Sequence, residues 1–229
     1  MCGRFTLDLP PELLAELFNL GELCPLLSRF NIAPTQPVAV VRADLSGIRS
    51  LALLQWGLIP SWSRDRGGAA RMINARSETA ADKAAFRQAL KLRRCIVPAS
   101  GFYEWRREGK AKVPHYVTLR DKAPMALAAL WESWRSPEGE VVESCTILTT
   151  DANPLVEPLH SRMPAILAPA DWDRWLDRGI RDSLQVTPLL TPYPAELMQQ
   201  WEVSSLVNSV QNDSPALVER REAVMSLFD

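Results

Sequence analysis

The apolar positions of residues 10–20, Pro-Pro-Glu-Leu-Leu-Ala-Glu-Leu-Phe-Asn-Leu, fall at helical spacing, with Pro10 and Pro11 near the start. Most of the regular elements beyond this helix read as strands. Residues 38–42 and 48–56 form an apolar pair around a turn at Leu45-Ser46-Gly47. Residues 95–98, 101–105, 115–119 and 125–134 continue the β pattern, with Glu108-Gly109-Lys110 as a hairpin turn. Residues 141–150 predict a strongly β-branched strand, which Asp151-Ala152-Asn153-Pro154 breaks. Ile166 and Leu167 resume a strand, and 202–207 predict a last one. A second helix is expected over 80–92, capped by Ser77 or Thr79, with Phe86 and Leu90 on its inner face. A third starts near Asp171, runs through Trp172 and Trp175 and ends near Gly179. Three stretches suit no regular element. They are the 31–35 loop around Pro34, the aromatic turn 56–62, and 63–71, which reads as a mobile basic loop. The tail from about 211 reads as a short helix or a frayed end. The sum is one α+β domain over residues 1–229. Its β-rich middle curls into a barrel-like, mostly antiparallel sheet with peripheral helices.

Composition supports that reading and narrows the function. A chain of 229 residues, 47% hydrophobic, has enough apolar material for one ordinary core. No run reaches the ~18 apolar residues of a membrane helix, and no signal peptide is readable, so a cytoplasmic protein is expected, with no membrane partner. Cys2, Cys24, Cys95 and Cys145 lie far apart without metal-type spacing, so neither metal nor cofactor is expected. Cys24, Cys95 and Cys145 read as small core fillers. Net charge is −1, yet residues 61–122 hold 15 Lys/Arg against 6 Asp/Glu, a balance of +9. Such asymmetry marks either a local phosphate-binding face or a set of solvated surfaces.

The chemistry gathers at Met1-Cys2-Gly3-Arg4-Phe5. If Met1 is removed, Cys2 carries a free α-amine and a thiol two carbons apart. The amine has a pKa of about 7.7–8.0 and the thiol about 8.5, so both are partly deprotonated near neutrality. An amine condenses with an aldehyde to a Schiff base. The neighbouring thiol then closes a five-membered thiazolidine. The competing reading is a frayed terminal residue.

Five further stretches accompany this one: Asn31-Ile32-Ala33-Pro34-Thr35, Trp56-Gly57-Leu58-Ile59-Pro60, Ile73-Asn74-Ala75-Arg76-Ser77-Glu78, Gly101-Phe102-Tyr103-Glu104-Trp105 and His160-Ser161-Arg162-Met163-Pro164. In order and separation, from residue 2 to about 210, the six together resemble the SOS response-associated peptidase (SRAP) family. These proteins shield abasic sites in single-stranded DNA by cross-linking to them. The resemblance implies that Cys2 is the nucleophile and that Asn74, Glu104 and His160 line its pocket. It also implies self-removal of Met1, hence a peptidase-type activity, with some lyase activity by β-elimination from the Schiff base.

Each residue has a plainer reading beside that one. Asn74 offers a donor and an acceptor to the Cys2 amine or to sugar hydroxyls, or it is a turn residue. Glu104 is a proton shuttle if it shares the inward side of its strand with Phe102, or an outward hairpin carboxylate. His160 suits proton transfer to the opened sugar, or is a loop histidine bonded to backbone. His115 takes that second reading. Arg4, Arg76 and Arg162 grip phosphates or form surface ion pairs. Asn31 and Pro34 belong to the expected DNA-binding set through their motif. Trp62 stacks on a base or packs in the core, where Trp56, Trp131, Trp134, Trp172 and Trp175 are placed. Family members often carry a second aromatic beside this tryptophan; here it is Ser63.

The expectation is a monomeric DNA-repair protein, nucleoid-associated when bound, that holds single-stranded DNA containing an abasic site. Its rivals are an N-terminal-nucleophile cysteine amidohydrolase, with Asn74 in an oxyanion hole, and a binding module without covalent chemistry.

Overall fold

The computed structural model describes residues 2–22 and 25–221. Cys24 and the last eight residues of the tail lie outside the described residues. Thirteen strands and three α-helices succeed one another in the described chain. They are β1 (Phe5–Leu7), α1 (Pro11–Phe18), β2 (Arg29–Ile32), β3 (Pro37–Ala43), β4 (Arg49–Trp56), β5 (Asn74–Arg76), α2 (Arg87–Leu92), β6 (Arg94–Ala99), β7 (Gly101–Glu108), β8 (Ala111–Leu119), β9 (Met125–Arg135), β10 (Val141–Asp151), β11 (Arg162–Pro164), β12 (Ile166–Leu167), α3 (Trp172–Leu176) and β13 (Met198–Glu202).

Five of these strands close on themselves. β3 pairs β4, β4 pairs β10, β10 pairs β9, β9 pairs β6 and β6 returns to β3. All but the β4–β10 step are antiparallel, so the expected barrel-like, mostly antiparallel sheet is a closed five-stranded barrel. Closure removes the free edges that an open sheet would leave. β9 begins Met-Ala-Leu-Ala-Ala-Leu, a helix-favouring composition, yet it is a strand whose first six residues are all buried. Burial between β6 and β10 outweighs a per-residue helix preference of a few tenths of a kcal/mol.

A second sheet, ordered β13-β8-β7-β1-β2, packs beside the barrel. Its residues alternate between two cores. Phe5 and Phe102 join the main core, where the Phe5 ring meets Trp56 edge-on at 5.1 Å. Tyr103 and Tyr116 face the other way, with Phe30, Val203, Val207 and Leu217. The segment after β13 therefore covers the sheet's outer face. α1 buries Leu14 and Phe18 and stacks Phe18 on Trp172, the first residue of α3. Cys95 and Cys145 are buried, as expected of core fillers.

Several expected elements differ. The helix over 80–92 is reduced to α2, and neither Ser77 nor Thr79 caps it. The carbonyls of Thr79 and Lys83 each close a separate turn, so no single axis runs through the stretch. A short helix depends on its packing, and here Ala80 and Leu90 must both reach the core. The last strand is β13 rather than 202–207, because the ladder with β8 runs from Met198–Leu119 to Glu202–His115. Ser204 then accepts from the Leu206 N–H and starts a 3-10 turn at Ser205–Asn208. Asn31 and Ile32 belong to β2, so only the Pro34 end of that motif is a loop. α3 stops before Gly179: the buried Arg94 guanidinium binds the Trp175 carbonyl at 2.6 Å and also the Asp177 carbonyl. A cation at those carbonyls satisfies the helix end. The tail holds a 3-10 turn at Pro215–Val218. Among the described residues no helix is long and apolar enough to cross a membrane.

Candidate active site

Strand pairing brings the two ends of the site together. β1 runs antiparallel to β7, with Phe5 opposite Phe102, and the Tyr103 N–H donates to the Arg4 carbonyl at 2.9 Å. Residues 2–4 therefore extend along the start of β7, which carries Glu104. β5 lies parallel to β10, with Asn74 opposite Ile147, while β11 lies antiparallel to β10, with Arg162 opposite Asp151. The Asn74 strand and the His160–Arg162 segment thus flank one end of the same long strand.

Cys2 is not frayed; it is 0% exposed. Its carbonyl oxygen accepts from Asn74 Nδ2 at 2.7 Å. Asn74 Oδ1 is buried and has no hydrogen-bond partner among the described residues, so it is an acceptor available to a bound group. With Met1 still attached, burial first, then the Glu104 carboxylate, push the Cys2 thiol up to about 12, against smaller pulls from the residue 1 amine and the Arg4 backbone N–H. The thiol is therefore protonated at neutral pH. Glu104 is buried on the main-core side of β7, as its expected kinship with Phe102 requires. Its charge reaches both Cys2 and His160. Burial lowers the His160 pKa, with Glu104 opposing and Arg107 assisting.

His160 Nδ1 accepts the Arg162 backbone N–H at 2.9 Å. A backbone N–H can only donate, so neutral His160 carries its proton on Nε2. The turn before it is shaped by Asn153, whose Oδ1 accepts from the Leu155 and Val156 N–H groups. His115 lies elsewhere: buried in β8, it meets Gln200 Oε1 at 2.5 Å rather than a backbone group.

The expected DNA-contacting residues fall into two groups. Arg4 lines a cavity of about 510 Å³ that His160 also lines. Trp62 is 65% exposed, and Arg76 is exposed with no ion pair among the described residues. Pro34 is half-buried in the turn between β2 and β3. Asn31 and Arg162 are engaged otherwise. Asn31 is 1% exposed; its Oδ1 accepts from Arg4 at 2.7 Å, and its Nδ2 donates to the Ser209 and Asn212 carbonyls. It holds Arg4 in place from behind. Arg162 grips Glu78 with two bonds of 2.7 and 2.8 Å and Asp151 with one of 2.6 Å, with its side chain 12% exposed. A phosphate at Arg162 must compete with two carboxylates. The bridge instead ties the segment after Asn74 to the strand after His160.

The loop expected to be mobile is anchored. The Ser63 carbonyl accepts from Trp134 Nε1 at 2.7 Å, and Arg66 pairs with Glu140 while lying over the Trp134 ring. Trp62 therefore projects from a braced turn. Trp105, the last residue of the Glu104 motif, also lines the cavity, together with Leu159 and with Arg107, Lys112 and Asn208, which lie outside the motifs. The excess of basic residues over 61–122 includes two of them, Arg107 and Lys112, and was the signal available in the sequence.

A barrel flanked by a second sheet, with a buried Cys2 bonded to Asn74 and within electrostatic reach of Glu104, which also acts on His160, defines the class. The family model for the SOS response associated peptidase (SRAP) matches residues 1–210, and the chain belongs to that family. Abasic site processing protein YoqW of Bacillus subtilis (strain 168) is 43% identical over 223 residues, which covers 96% of this chain and 99% of that protein. Abasic site processing protein HMCES of Xenopus tropicalis is 34% identical over 196 residues, 74% of this chain and 57% of the longer protein. A crystal structure of a protein from Bacteroides thetaiotaomicron superposes with a TM-score of 0.86 at 26% identity, covering 96% of this chain and all of that one.

Proposed function

We propose that this protein processes abasic sites in single-stranded DNA by joining Cys2 covalently to the ring-opened sugar. The observation that carries the reading is the buried Cys2, bonded through its carbonyl to Asn74 and within electrostatic reach of Glu104, which also acts on His160. The names of the relatives, abasic site processing proteins, support the substrate.

The chemistry starts when Met1 is hydrolysed off, which frees the Cys2 amine. His160 Nε2–H hydrogen-bonds to the sugar ring oxygen as the C1′–O4′ bond breaks, and the proton leaving the C1′ hydroxyl passes through water to that ring oxygen, giving the aldehyde. The amine adds to that aldehyde, and water leaves to give a Schiff base. The Cys2 sulfur then adds to the imine carbon, and the thiol proton passes by way of Glu104 to the nitrogen. The product is a thiazolidine, and one water is released overall. Burial of the Cys2 side chain disfavours a standing thiolate, and the iminium carbon is reactive enough to accept sulfur as the proton leaves, whereas the attack of the amidohydrolase reading needs a thiolate at the outset. β-Elimination from the Schiff base is the competing exit, and thiol closure suppresses it.

Trp62 follows a turn whose Ile59 N–H donates to Ser144 on β10, three residues before Ile147 opposite Asn74. Three residues of strand span about 10 Å. β10 thus links the turn before Trp62 to the strand that carries Asn74. The test is direct. The mature protein is mixed with a single-stranded oligonucleotide carrying one abasic site, then denatured and run on a gel. A DNA–protein band that survives denaturation is expected; its absence, with Met1 shown by mass to be removed, overturns the reading.

A further inference from the structure

The β7–β8 hairpin places Arg107 opposite Lys112 in the ladder, both exposed and both in the wall of the cavity beside His160. Like charges directly opposite each other on paired strands destabilise a hairpin. Neither has an ion-pair partner among the described residues, and the nearby Glu108 is taken by Arg106 at 2.6 Å. Arg4 adds a third cation to the same cavity, and the burial of its guanidinium is compensated by carbonyl oxygens rather than by a carboxylate. Trp105 forms another part of the wall. Its indole N–H donates to Asn208 Oδ1 at 2.8 Å, which fixes the ring. Asn208 follows Val207, whose carbonyl holds Arg4. No salt bridge holds Arg4, Arg107 or Lys112 among the described residues.

We propose that Arg107 and Lys112 form a phosphate subsite that grips one internucleotide phosphate of the strand next to the abasic sugar, with the fixed Trp105 ring beside it. The proposal deepens the abasic-site reading and rests on it for the identity of the strand. It names an anion site that the motifs do not contain. Arg107 also lies close enough to bear on the His160 pKa, so a phosphate there sits beside the reacting centre.

The test uses a single-stranded oligonucleotide with a tetrahydrofuran in place of the abasic sugar, which has no aldehyde and cannot cross-link. Affinity is measured by fluorescence anisotropy for the full chain and for Arg107→Gln/Lys112→Gln. Each is repeated with a neutral methylphosphonate at each phosphate near the tetrahydrofuran. The double variant should bind roughly tenfold more weakly, as expected for lost hydrogen bonds to a charged group. Its slope of log affinity against log salt should fall by about 0.7, one phosphate's worth on single strands. At one position the methylphosphonate should weaken the wild type and leave the double variant unaffected, the mark of a coupled pair. Thermal unfolding should be unchanged or slightly higher in the variant, because a like-charge contact is relieved. Undiminished affinity, losses that add at every position, or a lowered thermal midpoint would each overturn the subsite. Cross-linking to an aldehyde-bearing oligonucleotide is scored separately. If cross-linking fails while the coupling is seen, the covalent reading falls and the phosphate site stands.

Discussion

Cys2 combines two groups that a substitution can separate. Cys2→Ser keeps the α-amine but replaces sulfur with a poorer nucleophile. On abasic single-stranded DNA it should yield a complex that borohydride traps and little denaturation-resistant band without reductant, with more nicked strand. As much reductant-free cross-link as the wild type would remove the thiol from the mechanism. His115 carries a pH dependence of another kind. Burial lowers its pKa below the ordinary 6.5, and the same holds for His160. The unfolded chain therefore takes up protons first as pH falls through about 6.5. Stability is complete above that pH and declines below it, until the folded-state values are passed. His115→Gln should make the fall in thermal midpoint between pH 7 and 5 shallower than in the wild type. Parallel curves for the two proteins would show that His115 contributes nothing to it.

At the scale of elements, Gly57 is where β4 leaves the barrel. Its φ of 126° suits glycine, and its N–H donates to the Cys145 carbonyl at 2.9 Å. A Cβ there would lie 2.6 Å from the Ala69 carbonyl oxygen, a backbone atom that cannot move aside cheaply. Overpacking of this kind costs about 1–3 kcal/mol, and the strained φ adds about 1–3 kcal/mol. In a chain of this size each kcal/mol shifts the midpoint by about 2–4 °C. Gly57→Ala should thus lower the thermal midpoint by several degrees or more, as calorimetry would measure. A shift under about 2 °C would mean that the 69–71 turn gives way freely. The same turn leads into β5 and Asn74, so the glycine acts on the site through the path of the chain.

For the whole molecule, the +9 balance over 61–122 overstates what a DNA strand can use. Arg66 and Arg93 are paired with Glu140 and Glu132 from the acidic remainder, Arg106 with Glu108, and Arg94 is buried on carbonyls. Single-stranded DNA binding should then show a log–log salt slope of about −2 to −3, that of three or four phosphates at ~0.7 each. A slope near zero would make the remaining cations ordinary solvated surface. Trp62→Ala should weaken binding by about 1–3 kcal/mol if a base stacks on the exposed ring. An unchanged dissociation constant would leave Trp62 without that role.

Local chemistry determined much of this in advance. Apolar and β-branched runs bounded by turn residues marked β3, β4, β8, β9 and β10, because both signals are local to the segment that carries them. The aminothiol at Cys2 was legible because its reactivity lies in two adjacent atoms of one residue. The motifs around Asn74, Glu104 and His160 were legible as candidates, but their proximity was not. It arises from β1 pairing with β7, and from β5 and β11 both flanking β10, contacts between elements distant along the chain. The same limit explains the misread elements. The 80–92 stretch has helix-forming residues, but the need to bury both Ala80 and Leu90 breaks it into turns. Arg162 and Asn31 look like free binding groups in the sequence, and only the fold supplies the Glu78, Asp151 and carbonyl partners that engage them. Arg107 and Lys112 differ from the neighbouring cations only in facing each other across a hairpin beside His160. Charge is a property of the residue, but which cations find an ion-pair partner is decided by the assembled surface.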